Sequence, residues 1–390
     1  MSLRFLTAGE SHGKALTAIV EGIPAGLMLS EDYIARDLRR RQGGRGRGGR
    51  QKIESDRAEI VSGVRHGLTL GSPITLVIAN RDWENWREEM AVEEASSPVE
   101  PLTRLRPGHA DLAGTMKYGQ GDVRNVLERA SARETASRVA VGAVARRFLE
   151  EFGIDVHSHT VAIGGIEAGI EGEPNWKAVE VSELRCIDGE AERRMLDAID
   201  NAKSNGDSLG GVTEVRATGV PAGLGSHVHW DRRLSGRLAQ AVMSIPSVKA
   251  VETGDGFALA GMRGSESQDV ILPVEEWAGR PWRRASNHAG GLEGGMTNGE
   301  TLVIRAALKP ISTLARPLAS ADLATGRSIE AHYERSDVCI VPVAGVIAEA
   351  MVAIVLAGEM LDKFGGDHID ETLCNYRAYV ETIGPHPDAE

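Results

Sequence analysis

The chain has 390 residues, 42% of them hydrophobic and 26% charged, with a formal net charge of −12, which suffices for one large core or two to three smaller ones. The acidic balance opposes a long polyanion as partner, and 4% aromatic residues are too few for the stacking ladder with which single-strand binders hold RNA. Cys186, Cys339 and Cys374 are far apart without CxxC spacing, which argues against a disulfide framework or a metal site and fits a reduced, cytoplasmic compartment. The opening MSLRFLTAGESHG has no apolar h-region, so neither a signal peptide nor a transit peptide is expected.

A strand is expected over Leu3 to Thr7, then a polar loop with Glu10, Ser11, His12 and Gly13, then a strand over Ala15 to Glu21 closed by the turn Gly22-Ile23-Pro24-Ala25-Gly26. Ser30 as N-cap, Glu31 and Asp32 in a first turn and Gly43 beyond the end predict a helix from Glu31 to Gln42. Its C-terminal half opens the run DLRRRQGGRGRGGR, with seven arginines between Arg36 and Arg50 and Asp37 as the one acid among them. Gly43, Gly44, Gly46, Gly48 and Gly49 let the backbone close on a phosphate, and the guanidinium groups offer bidentate hydrogen bonds to it. The same run also fits a solvated basic loop or an RGG-type RNA-binding segment. As an anion-binding loop, mobile without ligand, it should accept Arg41→Ala with little change in stability.

Strands follow near Glu59 to Gly63 and Ile74 to Ala79. The acidic stretch from Trp83 to Pro101 reads as a surface excursion whose tryptophans, Trp83 and Trp86, fit a partner contact but read first as a cover over the core. Val123 to Phe152, rich in Ala, Arg and Glu and stopped by Gly153, predicts one long helix, on which Arg129 and Arg133, four apart, would share a face. Further strands are expected at Val156 to Ile163, Gly211 to Val220 and Thr301 to Ala307, and helices at Glu190 to Asn205, Asp231 to Ser244 and Val346 to Phe364. The apolar run Val338 to Gly358 approaches membrane length, but Pro342, Gly345 and Glu349 favour a buried strand followed by a core helix. Strands alternating with helices, no repeat and no long linker predict an α+β fold with a single large domain over residues 1–382 and a disordered tail over 383–390.

No GxxxxGK[ST], complete GxGxxG, HExxH or GxSxG occurs. His157 with His159, and His227 with His229, alternate as on a strand and read as structural. His12 lies beside Ser11 and glycines, and His109 lies between Arg106-Pro107-Gly108 and Asp111; each alone fits a structural histidine as well as an acid or base. With an arginine cluster they fit acid-base groups in an anion site. Lys309-Pro310-Ile311-Ser312-Thr313 adds a cation, two hydroxyls and turn amides, and the glycine-dense run Asn287 to Met296 suits close contact with a flat ligand.

In this order, AGESHG, RRRxxG followed by GRG, RPGHAD, ERASARET, NHAGGLEGGMTNG, KPISTL and RSDVC resemble the chorismate synthase family over nearly the whole chain. The resemblance implies a β-α-β-α sandwich, a homotetramer, no nucleic-acid or membrane partner, and a lyase reaction. That reaction is the trans 1,4-elimination of phosphate from 5-enolpyruvylshikimate 3-phosphate to chorismate, with reduced FMN (FMNH2) required but no net redox change and NADPH at most an indirect reductant. It implies His12 as the acid at the departing phosphate, His109 as the group protonating or stabilising reduced flavin, and Asp337 as an aid to proton removal. Substrate anions would meet Ser11, Arg41, Arg47, Arg106, Arg133 and Arg335, and the family assigns NADP to Arg41 and Arg47. Flavin contacts would come from Arg129, Ala130, Ser131, Gly294, Lys309, Pro310, Ile311, Ser312, Thr313 and Arg335. Pro246 and Ser247 stand where relatives usually read I-N-x-x-K-G; proline removes an amide donor there, so a rearranged flavin contact is expected.

Overall fold

The computed structural model describes residues 3–46, 55–169, 172–274, 282–334 and 336–383. Arg47, Arg335 and the tail from 384 onward lie outside the described residues. Two antiparallel sheets frame the chain. The first has the strand order Arg4–Ala8, Ala15–Glu21, Ile74–Ala79, Glu59–Ser62. Its strands alternate as a half-buried sheet must: Leu16, Ala18 and Val20 are buried with Ile74, Leu76 and Ile78, while Leu6 and Ile19 face out. The second runs Val248–Thr253, Leu302–Leu308, Gly211–Thr218, Asp155–Ile163, Ile166–Glu167.

Two helices fill the space between them. Thr135–Glu150 packs on the first sheet through Ala15–Glu21 and Ile74–Ala79, Val341–Phe364 packs on Asp155–Ile163 and Gly211–Thr218, and the two pack on each other. Their approach is set by glycine: a Cβ at Gly142 would fall 2.3 Å from Ala350 Cβ, and one at Gly345 would fall 2.7 Å from the hydroxyls of Ser158 and Thr213. The fold is α+β in a single chain, and one apolar cluster runs through both sheets and both helices.

Three expected elements differ. The long helix from 123 to 152 is broken: Arg124–Ala130 ends at Ser131, whose φ −65° and ψ 144° are extended, a 3-10 turn spans Ala132–Glu134, and only then does Thr135–Glu150 begin. Ser131 accepts the N–H of Arg133, the backbone competition that disfavours serine inside helices. The run after Val338 holds only a single bridge, Leu209 to Cys339, and the helix already starts at Val341. Pro342 sits in its first turn, where a missing N–H costs nothing. This helix is long and apolar enough to span a membrane, yet it is buried along nearly its whole length, as a core helix is. The expected helix from Asp231 shortens to a 3-10 turn, Trp230–Arg232, and Leu234–Met243. A further helix, Ile369–Thr382, escaped the sequence reading; its capping box uses His368 and Glu371, and histidine is outside the usual N-cap residues.

Candidate active site

The break at Ser131 positions the site. The loop after Arg4–Ala8, the Ser131 corner, the RPGHAD turn, the Lys309 turn and the start of Val341–Phe364 enclose one cavity of about 410 Å³, within the range of small-molecule sites. Ser11, His12, Arg41, Arg106, His109, Arg133 and Asp337 line it. So do Ala130, Ser131, Pro246, Ser247, Lys309, Ile311, Ser312 and Thr313, with Leu127, Ile340, Val343 and Ile347 as apolar wall.

Each histidine stands on a buried carboxylate. His12 Nδ1 is 2.7 Å from Glu128 Oε1, and the His12 backbone N–H donates to Glu128 Oε2, also at 2.7 Å. His109 Nδ1 is 2.5 Å from Asp111 Oδ1, and Arg106 donates to both oxygens of Asp111 at 2.8 and 3.0 Å. Burial opposes ionisation of Asp111, but hydrogen bonds from His109 and Arg106 outweigh it and hold the carboxyl well below its usual range. Glu334, also in the wall, is pushed up by burial and brought down by His332, Arg106 and His12, with a net lowering.

The arginines divide. A helix turns about 100° per residue, so a run that is dense in sequence spreads round the axis. Arg40 enters the core to Glu349, Arg36 meets Asp37 and Glu150, and Arg45 meets Asp200. Among the described arginines of the run, Arg41 is the one that lines the cavity, and it is no free loop residue. Its guanidinium donates to Thr135 Oγ1 at 3.0 Å, Asp56 Oδ2 at 3.3 Å and Ala132 O at 2.9 Å. Arg133 donates to the other oxygen of Asp56 at 2.5 Å and to Asn80 Oδ1 at 3.0 Å. The expectation that Arg41 could be lost without cost to stability is thereby corrected.

Arg129 does not share a face with Arg133, because the extended Ser131 lies between them. Its guanidinium ties the first strand, donating to Thr7 O at 2.9 Å, Thr7 Oγ1 at 2.7 Å and Gly9 O at 3.2 Å. Arg129, Pro310 and Gly294 do not line this cavity; Gly294 sits in the hairpin of Leu292–Glu293 with Met296–Thr297. Pro246 and Ser247 do line it, and Ser247 holds a left-handed φ of +72°, a strained conformation for serine. Trp86 is not a cover over the core: its ring lies 4.1 Å from that of His12, with Arg124 5.0 Å from it.

Sequence reading missed Glu128, Asp56 and Trp86. Glu128 opens the quoted ERASARET, so its signal was present; Asp56 belongs to no motif. A Cβ at Gly108, φ +76°, would come within 2.9 Å of Lys309 Nζ, so glycine keeps this wall open. Cations, hydroxyls and an apolar wall together fit a ligand with anionic ends and a flat ring.

Fold and site together define an enzyme with a cavity suited to a small anionic ligand. A family model described as chorismate synthase matches residues 3–361. The chorismate synthase of Moorella thermoacetica is 58% identical over 386 residues, covering 98% of this chain and 100% of the relative, and that of Trichlorobacter lovleyi is 56% identical over 386 residues, covering 97% and 98%. A crystal structure of a chorismate synthase matches with a TM-score of 0.77 at 45% identity over 98% of each chain. The chain belongs to the chorismate synthase family, and it is an enzyme of the lyase class.

Proposed function

We infer that this chain eliminates phosphate from 5-enolpyruvylshikimate 3-phosphate by a trans 1,4-elimination to give chorismate, with reduced FMN as the required cofactor. The observation that carries this reading is the meeting of His12, His109 and Asp337 with Arg41, Arg106, Arg133 and Lys309 in one cavity. The substrate bears a phosphate and two carboxylates, matched by guanidinium groups that buried carboxylates hold in place before any ligand arrives. The ring loses a proton at one end and phosphate at the other, so electrons balance without an oxidant.

His12 gives a proton to the departing phosphate, Asp337 assists proton removal from the ring, and His109 sets the protonation of the flavin. Ser11, Arg41, Arg106 and Arg133 hold the substrate's anions, and Arg47 and Arg335 join them on the resemblance alone. Reduced FMN, when bound, supplies an electron-rich ring that is required yet not consumed. Ala130, Ser131, Pro246, Ser247, Lys309, Ile311, Ser312 and Thr313, all in the wall, would hold it. Arg129, Gly294 and Pro310 are assigned to it only by resemblance, and so is NADP to Arg41 and Arg47, with NADPH as indirect reductant.

Residues 1–382 are read as one catalytic domain, supported by the single main apolar cluster. The layers become the β-α-β-α sandwich of the family if Gly189–Ser204 is counted as the fourth, supported by its packing of Ala191, Met195 and Ile199 with Ile163. A homotetramer in the cytoplasm is likewise carried over from the family; three unbridged cysteines fit that compartment.

The test is an anaerobic assay with chemically reduced FMN and the phosphorylated substrate. Chorismate should form without stoichiometric oxidation of the flavin, and oxidised FMN alone should give none. Absence of product with reduced FMN overturns the reading.

A further inference from the structure

We propose that Glu128 is the positioning residue of His12, fixing the tautomer so that Nε2 is the nitrogen presented to the ligand. This rests on the reading of His12 as the acid at the departing phosphate. Glu128 grips the AGESHG loop three times: Oε1 on His12 Nδ1 and Oε2 on the His12 backbone N–H, both at 2.7 Å, and its backbone carbonyl on the Ser11 N–H at 3.0 Å. Its side chain is 2% exposed, so water does not compete. An ionised carboxylate only accepts hydrogen bonds; Nδ1 therefore carries a proton, and Nε2 alone is left to give one up. Trp86 lies against the ring, so the imidazole is held from its edge and covered on one face.

The other charges around His12 are Glu10 and Lys14 of its own loop, Arg124 and Asp82 around Trp86, and, across the cavity, Arg41, Arg106, His109, Arg133, Glu334 and Asp337. Among the described residues, Glu128 rather than any of these acids is bonded to the ring.

Glu128→Gln separates charge from shape. The His12 backbone N–H takes the amide oxygen, which turns the amide NH2 toward Nδ1 and forces Nδ1 to accept. The first measurement is 15N NMR of histidine-labelled protein without ligand, the His12 signals identified by their loss in His12→Asn. Wild type should show Nδ1 protonated in neutral His12; Glu128→Gln should move that proton to Nε2. The second is kcat with reduced FMN. Glu128→Gln should reduce kcat about tenfold, and Glu128→Asp, which restores a carboxylate to Nδ1, should recover part of it. A neutral Nε2–H tautomer in the wild type overturns the proposal, and this needs no folded variant of Glu128. So does Glu128→Gln with the His12 proton still on Nδ1 and kcat unchanged. Should His12→Asn itself keep full rate, the reading of His12 as acid fails, which is a different result from failure at Glu128.

Discussion

Arg41 illustrates how little one residue's neighbours in sequence say about its work. Its run advertises charge, yet the contacts that matter come from Asp56, Ala132 and Thr135. Asp56 is wholly buried between Arg41 and Arg133. Arg41→Ala leaves that carboxylate half paired, and urea denaturation should show a loss of about 2 kcal/mol or more; an unchanged midpoint would restore the picture of a free basic loop. At the histidines the expected loss is catalytic. His12→Ala and His109→Ala should each lower kcat by about a hundredfold or more in protein that still folds, since both lie in turns at the cavity wall, although each leaves a buried carboxylate short of a partner. Near-normal turnover would make the affected histidine a structural one. Both were legible because glycine and serine isolate them in the sequence. Their carboxylates were legible unequally: Asp111 follows His109 closely, whereas Glu128 is 116 residues from His12 and only folding joins them.

Among elements, those with a clean period were legible: Ala15–Glu21, Glu31–Gln42 and Ile74–Ala79 have the bounds their patterns imply. The break at Ser131 was not, because helix-favouring alanine, arginine and glutamate on both sides outweigh a single serine. Tertiary contact decides it, with Ser131 Oγ 3.1 Å from Ser11 Oγ in the cavity wall. The pairing of Thr135–Glu150 with Val341–Phe364 offers a sharper test. Gly142→Ala should gain up to about 1 kcal/mol from helix propensity, but the new methyl would meet Ala350 Cβ at 2.3 Å, and overpacking costs about 1–3 kcal/mol. The net should be destabilising in thermal melts, and a more stable variant would mean that these helices can part without penalty.

Across the whole molecule, the buried glutamate Glu349 ties the layers together. It accepts from Arg40 at 2.7 and 2.9 Å, Arg146 at 2.6 Å, Arg185 at 3.2 Å and Ser158 Oγ at 2.6 Å. These partners come from Glu31–Gln42, Thr135–Glu150, the segment before Gly189–Ser204, and Asp155–Ile163. Burial pushes the Glu349 carboxyl up, but Arg40, Arg146 and Arg185 outweigh it and hold it well below the carboxylate range. Glu180 follows: burial raises it, Arg40 and Arg185 lower it, and it settles at about 2. A carboxyl depressed in the folded state adds stability in full above its unfolded value of about 4.3, and loses it as pH falls from there toward the folded value. The net charge of −12 acts the other way at first, since protonation relieves self-repulsion. Destabilisation between about pH 5 and 3 therefore has to come from particular carboxylates. Urea midpoints taken from pH 7 down to 3 should fall on acidification for the wild type. Glu349→Gln leaves three guanidinium groups around a neutral amide; at pH 7 it should cost about 3–5 kcal/mol, and its acid slope should be shallower because one titrating group is gone. Equal stability at neutral pH with an unchanged slope would show that the layers are held by apolar packing alone.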